Sequence, residues 1–177
     1  MKKTPEQKIK EYFKMDCTQS FEKRAESTPA EDEMQTYYEN KKGIKVMRYG
    51  PDQRKPHNQF SVKYWMKIKK IIRKTPDYVV MDLKKPQAYF LEVKGCGRDG
   101  LVKLKKEDLE EYKEWAKEMP FSFFVYNMYK QAVIQFSIQD LAKTINKNNI
   151  QMERFKRDNK LHYPVPFQLL EQVNELK

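Results

Sequence analysis

Two stretches, Thr75-Pro76-Asp77-Tyr78-Val79-Val80-Met81-Asp82 and Phe90-Leu91-Glu92-Val93-Lys94-Gly95, decide how this chain is read. Tyr78 to Met81 is short, β-branched and apolar, and Ala88 to Lys94 repeats that character after Leu83-Lys84-Lys85-Pro86-Gln87, so the pair predicts a β-hairpin. Successive side chains of a strand point to opposite faces, which puts Glu92 and Lys94 on one face about 7 Å apart. With residues 84–87 as the turn, Asp77 falls opposite Lys94 and Val79 opposite Glu92, so Asp77, Glu92 and Lys94 share one face at one end of the hairpin. Asp82 falls near the turn, on the other face. Two carboxylates beside a lysine suit metal-assisted phosphodiester hydrolysis: the acids hold Mg²⁺, and the lysine helps position or activate the nucleophile. In a chain with 25 acids, acid-x-Lys arises by chance about four times. The strand context carries the weight, because a Glu and a Lys among Phe90, Leu91 and Val93 are costly unless they pair or bind something. The competing reading is an ion pair that blunts an edge strand.

Outward from the hairpin, helices and strands alternate. Upstream, residues 5–15 have the spacing of a short amphipathic helix, and Thr28-Pro29-Ala30-Glu31 opens a second with a Thr cap, Pro at its first position and Glu three residues after the cap. Met34, Tyr37 and Tyr38 form its apolar stripe, Lys42-Gly43 ends it, and Ile44 to Tyr49 alternates as a half-buried strand. Residues 60–73 return to helical spacing with a basic wet side. Downstream, Gly95-Cys96-Gly97-Arg98-Asp99-Gly100 leads to a helix over 105–119, with Leu109, Tyr112, Trp115, Ala116 and Met119 on one side and Pro120 as its stop. Phe121 to Tyr126 and Ala132 to Phe136 read as strands, Gln139 to Ile145 as a helix, residues 146–166 as polar and irregular, and Phe167, Leu170, Val173 and Leu176 as a closing helix. The expected fold is α/β, a mixed central β-sheet flanked by helices. It is expected as one domain: an N-terminal helical extension over 1–27, a core over 28–145, and a tail with the closing helix over 146–177.

At 177 residues the chain has room for one well-buried core, and 13% aromatic residues supply bulky material that disordered chains lack. No apolar run approaches the roughly 20 residues that span a bilayer, so no membrane partner is expected. Met1-Lys2-Lys3 leads into Thr4-Pro5-Glu6 without an apolar segment, and Cys17 and Cys96 read as free thiols, so an intracellular setting, cytoplasm or nucleoid, is expected. Those cysteines lie too far in sequence from each other and from His57 and His162 for the tight pairs of a zinc site. The net charge is +11 and unevenly placed: residues 41–106 hold 19 Lys or Arg against 5 acids, a net of +14. A basic face beside an acidic remainder is the footprint of polyanion binding, with nucleic acid foremost; lysine that merely solvates the surface is the plainer account.

Pro76-Asp77 followed fifteen positions later by Glu92-Val93-Lys94 resembles the motif of the PD-(D/E)xK nucleases, the restriction-endonuclease-like superfamily that includes Holliday-junction resolvases and many phage and repair nucleases. The resemblance covers roughly residues 28–136. It implies a restriction-endonuclease-like fold and a Mg²⁺- or Mn²⁺-dependent nuclease, most simply a DNA endonuclease. Asp77 and Glu92 are then metal ligands, and Lys94 stands beside the nucleophilic water. Members often carry a further acid on the first core helix; Glu31 is the candidate for it and for a third metal ligand, with Glu33 next to it, while a capping box accounts for Glu31 equally well. Some relatives place Gln-x-x-x-Tyr on the helix after the motif, where this chain has Asp108-x-x-x-Tyr112, half a match. Lys103, Lys105 and Arg98 around the glycine-rich segment are candidates for phosphate contact, against ordinary solvated lysines and a plain flexible turn. A homodimer is open, since junction cleavage needs two active sites. Two readings compete: a nucleic-acid-binding module that uses the same fold without turnover, and a scaffold whose basic surface meets an acidic partner. His57-Asn58 resembles a catalytic pair but lacks the metal-binding partners of such a site, and the two tryptophans fit helix cores better than stacking platforms.

Overall fold

A computed structural model describes residues 29–49, 75–96, 98–155 and 159–175. The helices expected over 5–15 and 60–73 lie outside the described residues. Helix α1 (Pro29–Glu39) leads into β1 (Ile44–Arg48). The turn between them needs Gly43: its φ is +85°, and a Cβ there would come within 2.8 Å of the Lys84 side chain. Strands β2 (Tyr78–Asp82) and β3 (Gln87–Gly95) form the expected hairpin, followed by β4 (Leu101–Lys105), α2 (Lys106–Glu118), β5 (Phe121–Asn127) and β6 (Ala132–Ser137). Helix α3 (Ile138–Lys147), β7 (Glu153–Arg154), β8 (Leu161–Pro166) and α4 (Phe167–Glu175) complete the order. Ser137 caps α3: its Oγ accepts from the Asp140 backbone N–H, while the Asp140 carboxylate accepts from that of Ser137.

The fold is α/β, with a mixed five-stranded sheet in the order β1-β2-β3-β5-β6. The β3–β5 pair is parallel and the other pairs antiparallel. β3 occupies the middle, and its residues 90–93 are all buried, as a strand covered on both faces requires. On one face α1 sends Ala30, Met34 and Tyr38 against Tyr78, Val80, Leu91, Val93 and Phe124. On the other, Leu109 and Tyr112 of α2, Leu141 of α3 and Leu170 of α4 pack with Phe90, Phe121, Phe123 and Phe136. Burying a side chain of this size is worth about 1.5–3 kcal/mol, so both faces are needed to hold the central strand.

The hairpin register differs from expectation by two residues. Asp82 pairs with Gln87 and Tyr78 with Leu91, so the loop is residues 83–86 and Asp77 lies level with Glu92 rather than with Lys94. The cause lies in the loop's own contacts: Asp82 Oδ1 accepts from the backbone N–H of Lys84 (2.9 Å) and Lys85 (3.2 Å), and the Leu83 N–H goes to the Gly43 carbonyl (2.7 Å). An even shift preserves which face each side chain takes, so the expected common face survives.

The stretch expected to be irregular, 146–166, holds two strands among its described residues. These are β7 and β8, and β8 pairs with β4, itself unexpected, in a second sheet ordered β4-β8-β7. Prolines at 164 and 166 argue against a strand because they cannot donate to a ladder, but β7 reaches only Leu161 and His162, so both prolines lie where β8 has a single neighbour.

Candidate active site

Glu92 and Lys94 point from the middle of β3 toward α2, and Asp77 ends the segment that enters β2. Beyond the Tyr78–Leu91 pair the β2 ladder stops, and the Asp77 side chain takes its place: Oδ2 accepts the Val93 N–H at 3.0 Å. This fixes the Asp77 carboxylate beside the strand that carries Glu92. Glu92 is only 5% exposed. Its Oε1 accepts two donors at 2.5 Å, the ammonium of Lys94 and the hydroxyl of Tyr112 on α2. Lys94 Nζ also lies 3.4 Å from the Tyr112 oxygen. The other oxygen, Oε2, is buried and has no hydrogen-bond partner. A buried carboxylate oxygen left without a donor costs about 1–3 kcal/mol or more, so the site stores an unmet demand for a positive group at that atom.

The electrostatics agree with this geometry. Burial, and next the neighbouring Asp77 charge, push the Glu92 carboxyl up to about 7, against the opposing pull of Lys94 and Tyr112. Burial also raises Asp77, offset in part by Lys94, the Val93 N–H and Arg48. For Lys94, desolvation disfavours the charged form, but Glu92, Tyr112 and Asp77 outweigh it and hold the ammonium well above its ordinary value. Tyr112 is raised well above the usual phenol range, first by burial and then by the Glu92 charge. Two acids whose carboxyls are both raised, Glu92 in part by the Asp77 charge, and a lysine held in its charged form are thus gathered at the end of the central strands.

Glu31 approaches this group from a different layer of the fold. It belongs to α1, which packs on the opposite face of the sheet, and Arg48 Nη1 reaches it at 3.3 Å while donating to the Tyr78 hydroxyl at 2.8 Å. The Arg48 guanidinium also lies 5.0 Å from the centre of the Tyr78 ring. Both Glu31 and Arg48 are close enough to act on Asp77 electrostatically. Among the described residues no group of three or more His, Cys, Asp or Glu is arranged to hold a metal ion, so the structure brings Asp77 and Glu92 together as a pair and leaves Glu31 with Arg48. Glu33 raises the Tyr126 hydroxyl, behind burial as the main cause.

The three basic candidates lie along the next segment. Arg98 is exposed in the turn after β3. Lys103 projects from β4, not from a helix start: its Nζ is 2.6 Å from Asp99 Oδ2 and 4.9 Å from the centre of the Phe155 ring. Lys105, extended, is the N-cap residue of α2. Sequence reading underrated Tyr112, whose half-matched motif was its one signal, and missed Arg48, which only the β1–β2 pairing delivers to the site.

Oxygen donors are what a hard divalent cation takes, and a buried Glu92 carboxylate with one unpartnered oxygen beside the half-buried Asp77 carboxylate fits such an ion. No family model matches the chain, and no curated protein does. Among solved structures, the chain is similar to Hjc from Archaeoglobus fulgidus, a Holliday junction resolvase from an archaeal hyperthermophile, at a TM-score of 0.49 and 11% identity, over 85% of this chain and 98% of that one. It is also similar to a nuclease from a fusselovirus, at a TM-score of 0.39 and 10% identity, over 84% of this chain and 88% of that one.

Proposed function

We propose that this protein is a nuclease of the PD-(D/E)xK kind, a DNA endonuclease that hydrolyses phosphodiester bonds with Mg²⁺ or Mn²⁺. The observation that carries the reading is the Asp77–Glu92 pair, in which Lys94 and Tyr112 both occupy Oε1 of the buried Glu92 and leave Oε2 unpartnered. Asp77 and Glu92 would hold the metal; when bound, it would neutralise the phosphate and lower the pKa of its water. Tyr112 and Lys94 fix the Glu92 rotamer by binding one oxygen, so that the other is presented in a single orientation. Glu92, Tyr112 and Asp77 favour the ammonium form of Lys94, which suits it to act as a donor that orients the attacking water and stabilises negative charge growing on the phosphate oxygens. A proton on Glu92 competes with the metal, because Oε1 is already taken by two donors and only Oε2 can carry it. The net of +14 over residues 41–106 supplies the attraction for a polyanion.

The test is cleavage of labelled linear, single-stranded and four-way-junction DNA, with matched RNA, by wild type, Asp77→Asn and Glu92→Gln in Mg²⁺, Mn²⁺ or EDTA. Cleavage of DNA that needs the metal and is lost in both variants is the expected result. Wild-type rates in a folded Glu92→Gln protein refute the reading. Binding that ignores EDTA and Asp77→Asn, with no cleavage of any substrate, replaces it with a binding module.

A further inference from the structure

The face of the sheet that carries Asp77, Glu92 and Lys94 continues onto β1. Arg48 pairs with Tyr78, so Tyr49 lies level with Asp77, and its N–H donates to the Asp77 carbonyl at 3.0 Å. Lys45, Met47 and Tyr49 therefore share the face of the acid pair, and all three are exposed. Tyr49 is 47% exposed although it is a large aromatic residue. Its ring is held from beneath by Phe90 (centroids 5.2 Å apart) and edge-on by Trp115 (5.9 Å, 87°). Phe90 is two residues before Glu92 on β3, and Trp115 lies one turn after Tyr112 on α2. The contacts that position the ring thus belong to the same two elements that position the carboxylate, which ties Tyr49 to the site both through its backbone and through its ring.

We infer that Tyr49 is a stacking platform for a nucleobase adjacent to the phosphate that is cut, an inference that rests on the nuclease reading above. A rigidly backed, half-open aromatic ring offers a π-face to any base with little entropy to lose on binding. Met47 and Lys45, at alternate positions further along β1, extend the same strip with a thioether and a cation, the mixture that suits bases and backbone of one strand. Charge decides the occupant: residues 41–106, which contain this strip, are the segment with the net of +14, so a nucleic acid strand is favoured over an apolar protein segment. Exposed tyrosines that merely roof a cluster such as Phe90–Trp115 do not distinguish nucleic acid from solvent, and this separates the two accounts.

The experiment compares wild type, Tyr49→Leu and Tyr49→Phe on DNA whose cleavage position has been mapped in Mg²⁺. Leucine keeps apolar contact with Phe90 and Trp115 but has no ring; phenylalanine keeps the ring. Affinity is measured with Ca²⁺ in place of Mg²⁺, and 2-aminopurine is placed in turn at the two nucleotides that flank the cut. The expected result for Tyr49→Leu is a KM and Kd raised about ten-fold, within the range for one stacked base, with kcat at saturation near wild type and loss of the 2-aminopurine quenching. Tyr49→Phe restores all three. Unchanged affinity and quenching in Tyr49→Leu, with wild type cutting and binding normally, overturn the inference and leave the nuclease reading intact. A wild type that neither binds nor cuts overturns both.

Discussion

Replacing Glu92 by Gln should flatten the pH dependence of stability in the metal-free protein, by an amount the site itself supplies. The carboxyl sits at about 7 in the folded chain, against an ordinary 4.5. Because the folded state keeps a proton that the unfolded chain has already released, this contribution is intact below about pH 4.5 and is lost as pH rises through 7. The gap corresponds to about 3 kcal/mol at 1.36 kcal/mol per unit, an order-of-magnitude figure for a group paired with Lys94. For a chain of this size that is a Tm difference of about 6–12 °C. Asp77 is raised in the same sense, chiefly by burial, and keeps its own share of the pH dependence in the variant. The assay is thermal or urea unfolding between pH 4.5 and 8.5 in EDTA, with slopes compared and not absolute values, since the variant also loses the ionic contact with Lys94. Wild type should fall with pH much more steeply than Glu92→Gln, and saturating Mn²⁺ should rescue wild type alone at pH 8. Parallel pH curves would falsify the argument, because Glu92 would then ionise as it does in water and the strained acid pair would not exist.

Two further outcomes follow from the same contacts. Lys94→Met should lower kcat about 10²–10³-fold, the usual cost of removing one donor to developing charge, while Mn²⁺ binding measured by calorimetry persists; a loss confined to metal affinity would assign Lys94 to holding Glu92 instead. Tyr112→Phe removes a hydrogen bond that lowers the Glu92 carboxyl, so the acid limb of the pH–rate profile should move to higher pH, and an unmoved limb would mean that the hydroxyl does not set the protonation of Glu92.

Much of the site was legible because it depends on short-range pattern. Strand alternation alone puts Glu92 and Lys94 on one face, and a hairpin of nearly any even register adds Asp77. The register itself was not legible: it turns on Asp82 capping its own loop and on Leu83 bonding to Gly43, forty residues earlier. Glu31 and Arg48 show the same limit, since helix periodicity cannot say that α1 lies across the sheet from Glu92 or that β1 brings a guanidinium to meet it. β8 escaped because its prolines suppress the strand signal, and β4 because Lys103 and Lys105 read as the start of the helix that follows. In both strands the pairing that stabilises the segment lies 57 to 65 positions away, beyond any local window.

That long-range pairing bears on when the protein becomes competent during synthesis. Leu101 has to wait for Pro166, and Val165, Phe167 and Leu170 complete the same core in which Tyr112 is buried. A ribosome-bound chain lacking residues beyond 158 would carry Asp77, Glu92 and Lys94 but not the packing that presses α2, and with it the Tyr112 hydroxyl, onto the carboxylate. The candidate site is thereby expected to order only after residues to about 170 have emerged, and a chain truncated after residue 158 should be protease-sensitive around α2. For an enzyme that would cut nucleic acid, late assembly keeps incomplete copies harmless.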